Sequence, residues 1–407
     1  MNERRRLANW RPWVMPGLRG LCVYYLTALL VAGAFLAGLN LVRDPAAEPR
    51  RRNFIEALAL RDGGAYKSII EQGYTFDKDR QSNVAFFPLY PILAWCVRSA
   101  FGIRTEVALA VVSNACFAAS CASLASYARD RAITDKGAAE CSVVVMALFP
   151  AGCFFRLAFS ESTFLLISIA ALYAIQRRRA WYVVALIVGA GTAARPVGVA
   201  LVLPLMLYVL RIAGTRRERV MRSIGAIVLG CSGLVAFIAY QSSEFGSPAA
   251  FIHTQSHWHV RAPVARGELL WKLATFEPLT ANYSKAAEGY WAHFDRGVPI
   301  CFNVRAANPV YFLIAAALLS VGIRTRWLNS YEAIFSAAVI AVPYCARGYE
   351  MAMGSMGRFV SVAFPLYLVA GAVFARVPPM VCGALCGLSG LVLGVYVALY
   401  AAGYAIL

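Results

Sequence analysis

The chain has 407 residues, of which 60% are hydrophobic and only 15% charged, with a mean hydropathy of +0.60. That balance excludes a soluble globular domain, and continuous apolar runs without period-two alternation exclude a transmembrane β-barrel. The net charge of +18 does not mark a nucleic-acid binder, because the arginines come in short clusters between apolar runs rather than on one basic face.

Arg4, Arg5 and Arg6 precede the first apolar run. The run is far longer than a signal-peptide core and lacks a convincing cleavage site, so it is predicted to stay as a first helix, 17–42, with the N-terminus in the cytoplasm. It opens into a first outer region, 43–105. There Arg50, Arg51 and Arg52 break the charge rule, offset by Asp44, Glu48, Glu56, Asp77 and Asp79. The apolar piece 86–101 is short and interrupted by Pro88 and Pro91, and reads as a re-entrant or interfacial segment. Further spans are predicted at 106–127, 139–155, 162–175, 181–194, 197–210, 223–241, 309–323, 331–345, 359–374 and 380–404. With this parity Arg129, Arg131 and Lys136, the clusters 177–179 and 216–222, Arg324 with Arg326, and Arg376 all face the cytoplasm. The expected architecture is therefore an all-α polytopic membrane protein, one domain over 1–407, with about eleven transmembrane helices. Most of the cysteines, Cys22, Cys116, Cys121, Cys141, Cys153, Cys231, Cys382 and Cys386 among them, lie inside apolar runs and form no CxxC pair, which indicates packing rather than a disulfide framework or a zinc site.

The same parity collects the polar, Gly- and Pro-bearing segments on the opposite, non-cytoplasmic face: the stretch around Asp62, 156–162, 194–198, the long outer loop 242–308, and 347–358. Asp62 is followed by two glycines, so backbone can approach a ligand closely, then by Tyr66 and Lys67 about one helical turn on. Glu161, in FSES, stands at the entrance to a span, either as a helix-terminus charge or as a functional carboxylate. Arg195 precedes Pro196 between two apolar runs, where a charge is costly unless it is paired, ligand-facing or snorkelling. In FIHTQSHWHVR, His253 and His257 are four apart with His259 nearby; this makes a metal site only on an ordered helix, and no carboxylate is in register. Gln255, Trp258 and Arg261 of the same stretch make a better carbohydrate- or phosphate-facing set, combining an aromatic face with amide and guanidinium donors. Arg358 closes GSMGR and is either a phosphate contact or an interfacial anchor.

Taken in order, DGGAYKSIIEQGY, NVAFFPLYPIL, ALFPAGCFFRLAFSESTFLLISIAALYAIQRRR, ARPVGVALVLPL, FIHTQSHWHVR and SMGRFVSVAFPLYLVAG resemble the ordered motifs of the PIG-V family, over roughly 60–370. That family holds the enzyme that adds the second mannose of the GPI anchor, together with prokaryotic relatives. The resemblance implies a GT-C type membrane glycosyltransferase that uses a polyprenyl-phosphate-linked sugar, usually mannose, on the non-cytoplasmic face, with Asp62 matching the catalytic base. Arg61 departs from the family, which carries Trp before that Asp. Short cytoplasmic loops fit a prokaryotic relative in the plasma membrane with its site facing outward; a eukaryotic chain would sit in the ER membrane.

The expected reaction is inverting transfer to a lipid or glycan acceptor. Lys67, Arg195, Arg261 and Arg358 are the candidates for the donor phosphate, Glu161 for sugar hydroxyls, and Tyr66, Gln255 and Trp258 for donor phosphate or sugar. No cofactor is required by this scheme, while the three histidines leave a divalent metal open. The competing function is a secondary transporter or lipid flippase, in which Asp62, Glu161 and Arg195 would line a path.

Overall fold

The computed structural model describes residues 2–42, 53–131, 137–294 and 298–404, with backbone alone for 2–14. Arg50, Arg51, Arg52 and Lys136 of the charge argument therefore lie outside the described residues, as do the side chains of Arg4, Arg5 and Arg6. Among the described residues every regular element is helical.

Four helices are long and apolar enough to cross a bilayer: Met15–Leu41, Thr105–Arg131, Val304–Arg324 and Pro379–Ala401. A fifth is added if Arg216–Gly230 and Ser232–Phe245, bent by 52°, count as one span. This corrects the expectation of about eleven spans. Most of the other apolar stretches are helical but short, because prolines divide them. The Ala138–Leu148 helix ends at Phe149, which is extended before Pro150, and the chain continues as the 3-10 turn Pro150–Phe155. Arg195 is likewise extended before Pro196 (φ −158°, ψ 153°), ending Trp181–Ala194. The predicted 359–374 span breaks into Met356–Ser361 and Pro365–Phe374. Pro150 and Pro196 push the residue before them out of the helix, while Phe364 stays helical and Pro365, which has no N–H to donate, takes the first position of a new helix. The 86–101 segment forms Leu89–Phe101, whose 13 residues rise only about 20 Å, short of the roughly 30 Å hydrocarbon core.

The first long helix packs against Thr105–Arg131 and Pro379–Ala401. A Cβ at Gly20 would strike the Cys121 backbone, and one at Gly38 the Ala398 backbone, so small residues set the close approach of these helices. Glu161–Gln176 packs against Thr105–Arg131 and Trp181–Ala194. Phe117, Phe154, Phe155, Phe159, Phe164, Phe335 and Phe364 fill the space between the elements.

The polar groups separate to the two ends of the bundle. At one end Arg131 reaches Glu332 at 2.6 Å, Arg177 pairs with Asp130, Arg211 donates to Ser330 at 3.2 Å and Arg376 lies 4.4 Å over the Trp327 ring. At the other end the 242–308 loop, which contains short helices Ala250–His253, Arg266–Ala274 and Glu277–Ala281, docks on the first loop. Ser82 N–H donates to Thr254 Oγ1 at 3.0 Å, and Gln81 Nε2 to the His257 carbonyl at 3.0 Å.

Candidate active site

Asp62 opens the helix Asp62–Gln72, and its neighbours fix where that helix begins. Arg61 holds a positive φ of 57°, costly for a non-glycine residue, and is tied down by its Nη2 bond to the Gly403 carbonyl at 2.9 Å. Tyr400 donates to the Leu60 carbonyl at 3.0 Å, so the end of the last long helix clamps the turn that presents Asp62. The glycine after Asp62 has a packing reason as well. A Cβ on Gly63 would sit 3.0 Å from that of Ala158 and 3.2 Å from that of Ala59, so a side chain here would push the helix start off the 156–160 segment.

Four charged residues distant in sequence close into one network. Asp62 Oδ2 receives Arg358 Nη1 at 2.6 Å. Arg358 Nε donates to Glu161 Oε1, and Arg195 Nη1 reaches the same oxygen at 2.5 Å. Arg195 also donates to Ser160 Oγ at 3.3 Å, and Tyr66 donates to that hydroxyl at 2.9 Å. Burial pushes the Tyr66 phenol up, so it stays a donor. Local geometry explains the convergence: the extended residue before Pro196 turns Arg195 out of its helix, while Glu161 starts Glu161–Gln176. Arg358 rides on Met356–Ser361, positioned by the Gly357 N–H bond to Asn308 Oδ1 at 2.8 Å, and its guanidinium lies 4.7 Å over Phe159 and 5.5 Å over Phe154.

The network is incomplete in two places. Glu161 is fully buried, yet its Oε2 has no hydrogen-bond partner. Arg347, at the end of Ser330–Arg347, has a buried Nε without a partner, and its guanidinium joins no ion pair among the described residues. Buried polar atoms are rarely left so without a role or a ligand. Sequence reasoning singled out the 347–358 segment but neither Arg347 nor Ser160 as a site residue. A basic residue at a helix C-terminus is too common to stand out, and the SES sequence was the one available signal for Ser160.

The remaining candidates lie outside this network. Lys67 turns to Glu106 at 2.7 Å, a bond that raises its amine, and Arg104 shares that carboxylate at 3.1 Å. Arg261 forks onto Glu277 at 2.9 and 2.7 Å and lies 4.0 Å over the Tyr349 ring. Trp258 connects through aromatic contacts, 6.4 Å to Phe86 and from there 5.1 Å to Tyr66. Gln255 sits half-buried in the 3-10 turn Thr254–Trp258. That turn also breaks the helix on which a His253 and His257 metal pair depended: His257 Nε2 lies 3.0 Å from the Lys78 carbonyl and His259 pairs with Glu350 at 2.8 Å. Among the described residues no group of three His, Cys, Asp or Glu side chains is placed to hold a metal ion.

An apolar cavity of about 650 Å³ lies between Val304–Arg324, Pro365–Phe374 and Pro379–Ala401, walled by Phe149, Tyr311, Tyr367, Leu385, Val392 and Tyr396. It adjoins the site through Tyr311, the ring that a Cβ on Gly357 would strike.

No protein-family model matches the chain, and no curated protein matches it. Among solved structures it is similar to the crystal structure of the Archaeoglobus fulgidus oligosaccharyltransferase in the apo form, at 13% identity and a TM-score of 0.47 over 95% of this chain. The chain spans 56% of the length of that protein.

Proposed function

We propose that this chain is a GT-C type integral-membrane glycosyltransferase, related to the PIG-V family, that moves a sugar, mannose, from a polyprenyl-phosphate carrier to a lipid or glycan acceptor on the non-cytoplasmic face of the plasma membrane. The observation that carries the reading is the convergence of Asp62, Glu161, Arg195 and Arg358, drawn from four separate motifs of the resemblance, into one buried ionic site.

Asp62 takes the proton of the acceptor hydroxyl as that oxygen attacks the anomeric carbon from the face opposite the phosphate. The bond from the anomeric carbon to the phosphate oxygen breaks, its electron pair leaves with the lipid monophosphate, and the configuration inverts. Arg358 holds the Asp62 carboxylate in place and, with Arg195, adds positive charge where the leaving phosphate gains negative charge in a site poor in water. The free Oε2 of Glu161 suits a sugar hydroxyl. Tyr66 and Ser160 brace this floor, and Trp258 and Gln255 lie on the docked loop for the sugar face. Lys67 and Arg261, engaged by Glu106 and Glu277, belong to the edge of the site. The apolar cavity beside Tyr311 offers room for isoprenoid units of the carrier. No cofactor enters this scheme.

In a transporter or flippase Asp62, Glu161 and Arg195 would instead line a path near the bilayer midplane. The test is sugar transfer from radiolabelled polyprenyl-phosphate-mannose to a membrane-lipid extract, with Asp62→Asn run beside wild type. Transfer by wild type alone supports the reading; near-normal transfer by the variant removes Asp62 as the base.

A further inference from the structure

Every cation that sequence pattern nominates for the donor phosphate already has a carboxylate. Lys67 is held by Glu106 and Arg261 by Glu277. Arg195 and Arg358 share Glu161, and Arg358 gives Nη1 to Asp62. With Nε on Glu161 and Nη1 on Asp62, a phosphate at Arg358 would have to share the guanidinium with two carboxylates. A phosphate that displaced one of these arginines would leave a buried carboxylate unpaired, which is costly in a low-dielectric site.

Arg347 stands apart from this pattern. Its Nε is buried and unpartnered, and no carboxylate among the described residues pairs with it. The helix that ends in Arg347, Ser330–Arg347, packs against Met356–Ser361, the helix that carries Arg358, and the charges of Arg358, Asp62, Glu350 and Arg195 act on the Arg347 guanidinium. Glu350 is engaged by His259 at 2.8 Å. Of the three guanidinium groups Arg195, Arg347 and Arg358, then, Arg195 and Arg358 are paired with Glu161 and Asp62, and only Arg347 is in ion-pair contact with no carboxylate among the described residues.

The backbone between the two arginines is built to bring them together. Ala352, Met353 and Ser355 hold positive φ values of 48°, 62° and 61°, a conformation that side-chain-bearing residues rarely adopt. Surrounding contacts enforce it: Met353 is fully buried, and Asn282 Nδ2 donates to the Ala352 carbonyl at 3.0 Å. Strain maintained in this way concentrates at functional sites. Here it folds the segment after Ser330–Arg347 back so that Met356–Ser361, which carries Arg358, packs against the helix that ends in Arg347, eleven positions earlier (358 less 347).

We propose that Arg347 is the phosphate ligand of this site: its guanidinium fork takes the phosphodiester oxygens of the lipid-linked donor, and then those of the departing lipid monophosphate, while Arg358 stays with Asp62 and Glu161. This rests on the glycosyltransferase reading above and adds the residue that carries the anion. Arginine suits the task because its planar donors match two phosphate oxygens at once.

The experiment is equilibrium binding of a polyprenyl monophosphate to the full chain in lipid nanodiscs, with the corresponding prenyl alcohol as the uncharged control. Wild type is expected to bind the phosphate and not the alcohol. Arg347→Gln should weaken phosphate binding by roughly 10- to 100-fold, Arg347→Lys by less, and Arg324→Gln, at a separate exposed arginine, not at all. Because Arg347 has no protein partner to lose, Arg347→Gln should unfold at a temperature no lower than wild type. Binding by Arg347→Gln within twofold of wild type would overturn the assignment of Arg347 and leave the lipid-phosphate donor standing. A fall in its unfolding temperature would also overturn it, since that shows a structural partner. Equal binding of phosphate and alcohol by wild type would overturn the donor reading itself, and Arg347 with it.

Discussion

Two fully buried glutamates, Glu332 and Glu161, lie at opposite ends of the bundle and engage arginines in different ways. Glu332 is saturated: Oε1 accepts Tyr127 at 2.6 Å and Arg131 Nε at 2.6 Å, while Oε2 accepts Arg131 Nη2 at 3.1 Å and the Asn329 N–H at 2.7 Å. The last bond closes a capping box at the start of Ser330–Arg347. Glu161 takes two arginines on one oxygen and leaves the other bare. The same helix joins the two regions, beginning beside Glu332 and ending at the unpaired Arg347. A network that satisfies all its members fastens helices together. One with a bare acceptor and an arginine outside every ion pair keeps hydrogen-bonding capacity that a bound ligand could use.

The largest effects should come from removing either glutamate. Glu161→Ala strands the buried guanidinium groups of Arg195 and Arg358 and should cost about 3–5 kcal/mol, while Glu332→Ala, which frees the part-exposed Arg131, should cost less, each read as a lowered unfolding temperature in detergent. They part in the second measurement: sugar transfer per folded molecule should survive in Glu332→Ala and vanish in Glu161→Ala. Equal transfer by the two would erase the distinction between a fastening network and a reactive one.

Asp62→Asn comes next. It keeps the shape of the side chain and an acceptor for Arg358, so stability should change little while turnover falls roughly 10²- to 10⁴-fold. Tyr66→Phe removes one buried hydrogen bond to Ser160 and should cost about 0.5–1.5 kcal/mol, with transfer reduced but present. Lys67→Ala should do least. Its side chain is 37% exposed, so the loss of its bond to Glu106 should stay below about 1 kcal/mol, and transfer should remain near wild type. A collapse of transfer in Lys67→Ala would move the phosphate site away from the Asp62 network.

Much of this arrangement is legible in the chain. Arg195 stood out because a charge before proline between apolar runs must find a partner, and it found Glu161. Three of the basic residues that charge placement grouped together, Arg131, Arg177 and Arg376, lie close in the fold, around Asp130, Trp327 and Glu332. Other placements depended on the fold. Lys67 is near Asp62 in sequence, but five residues along a helix turn a side chain about 140° away, toward Glu106. The span count overshot because apolar composition does not reveal that Pro150, Pro196 and Pro365 cut stretches into pieces too short to cross a bilayer.

By itself, then, the sequence determined the solvent this protein folds in, the helical class and the charged residues that had to find partners. These follow from hydropathy and charge placement, which act locally. Only the tertiary structure decided which charges cancel. Glu161 and Arg358 are separated by 197 positions and Asp62 and Arg358 by 296 (358 less 62), so their pairing depends on how short helices stack and not on any local pattern. The spare charge on Arg347 is visible only after every other pair has been made, because a vacancy in a network is a property of the whole network.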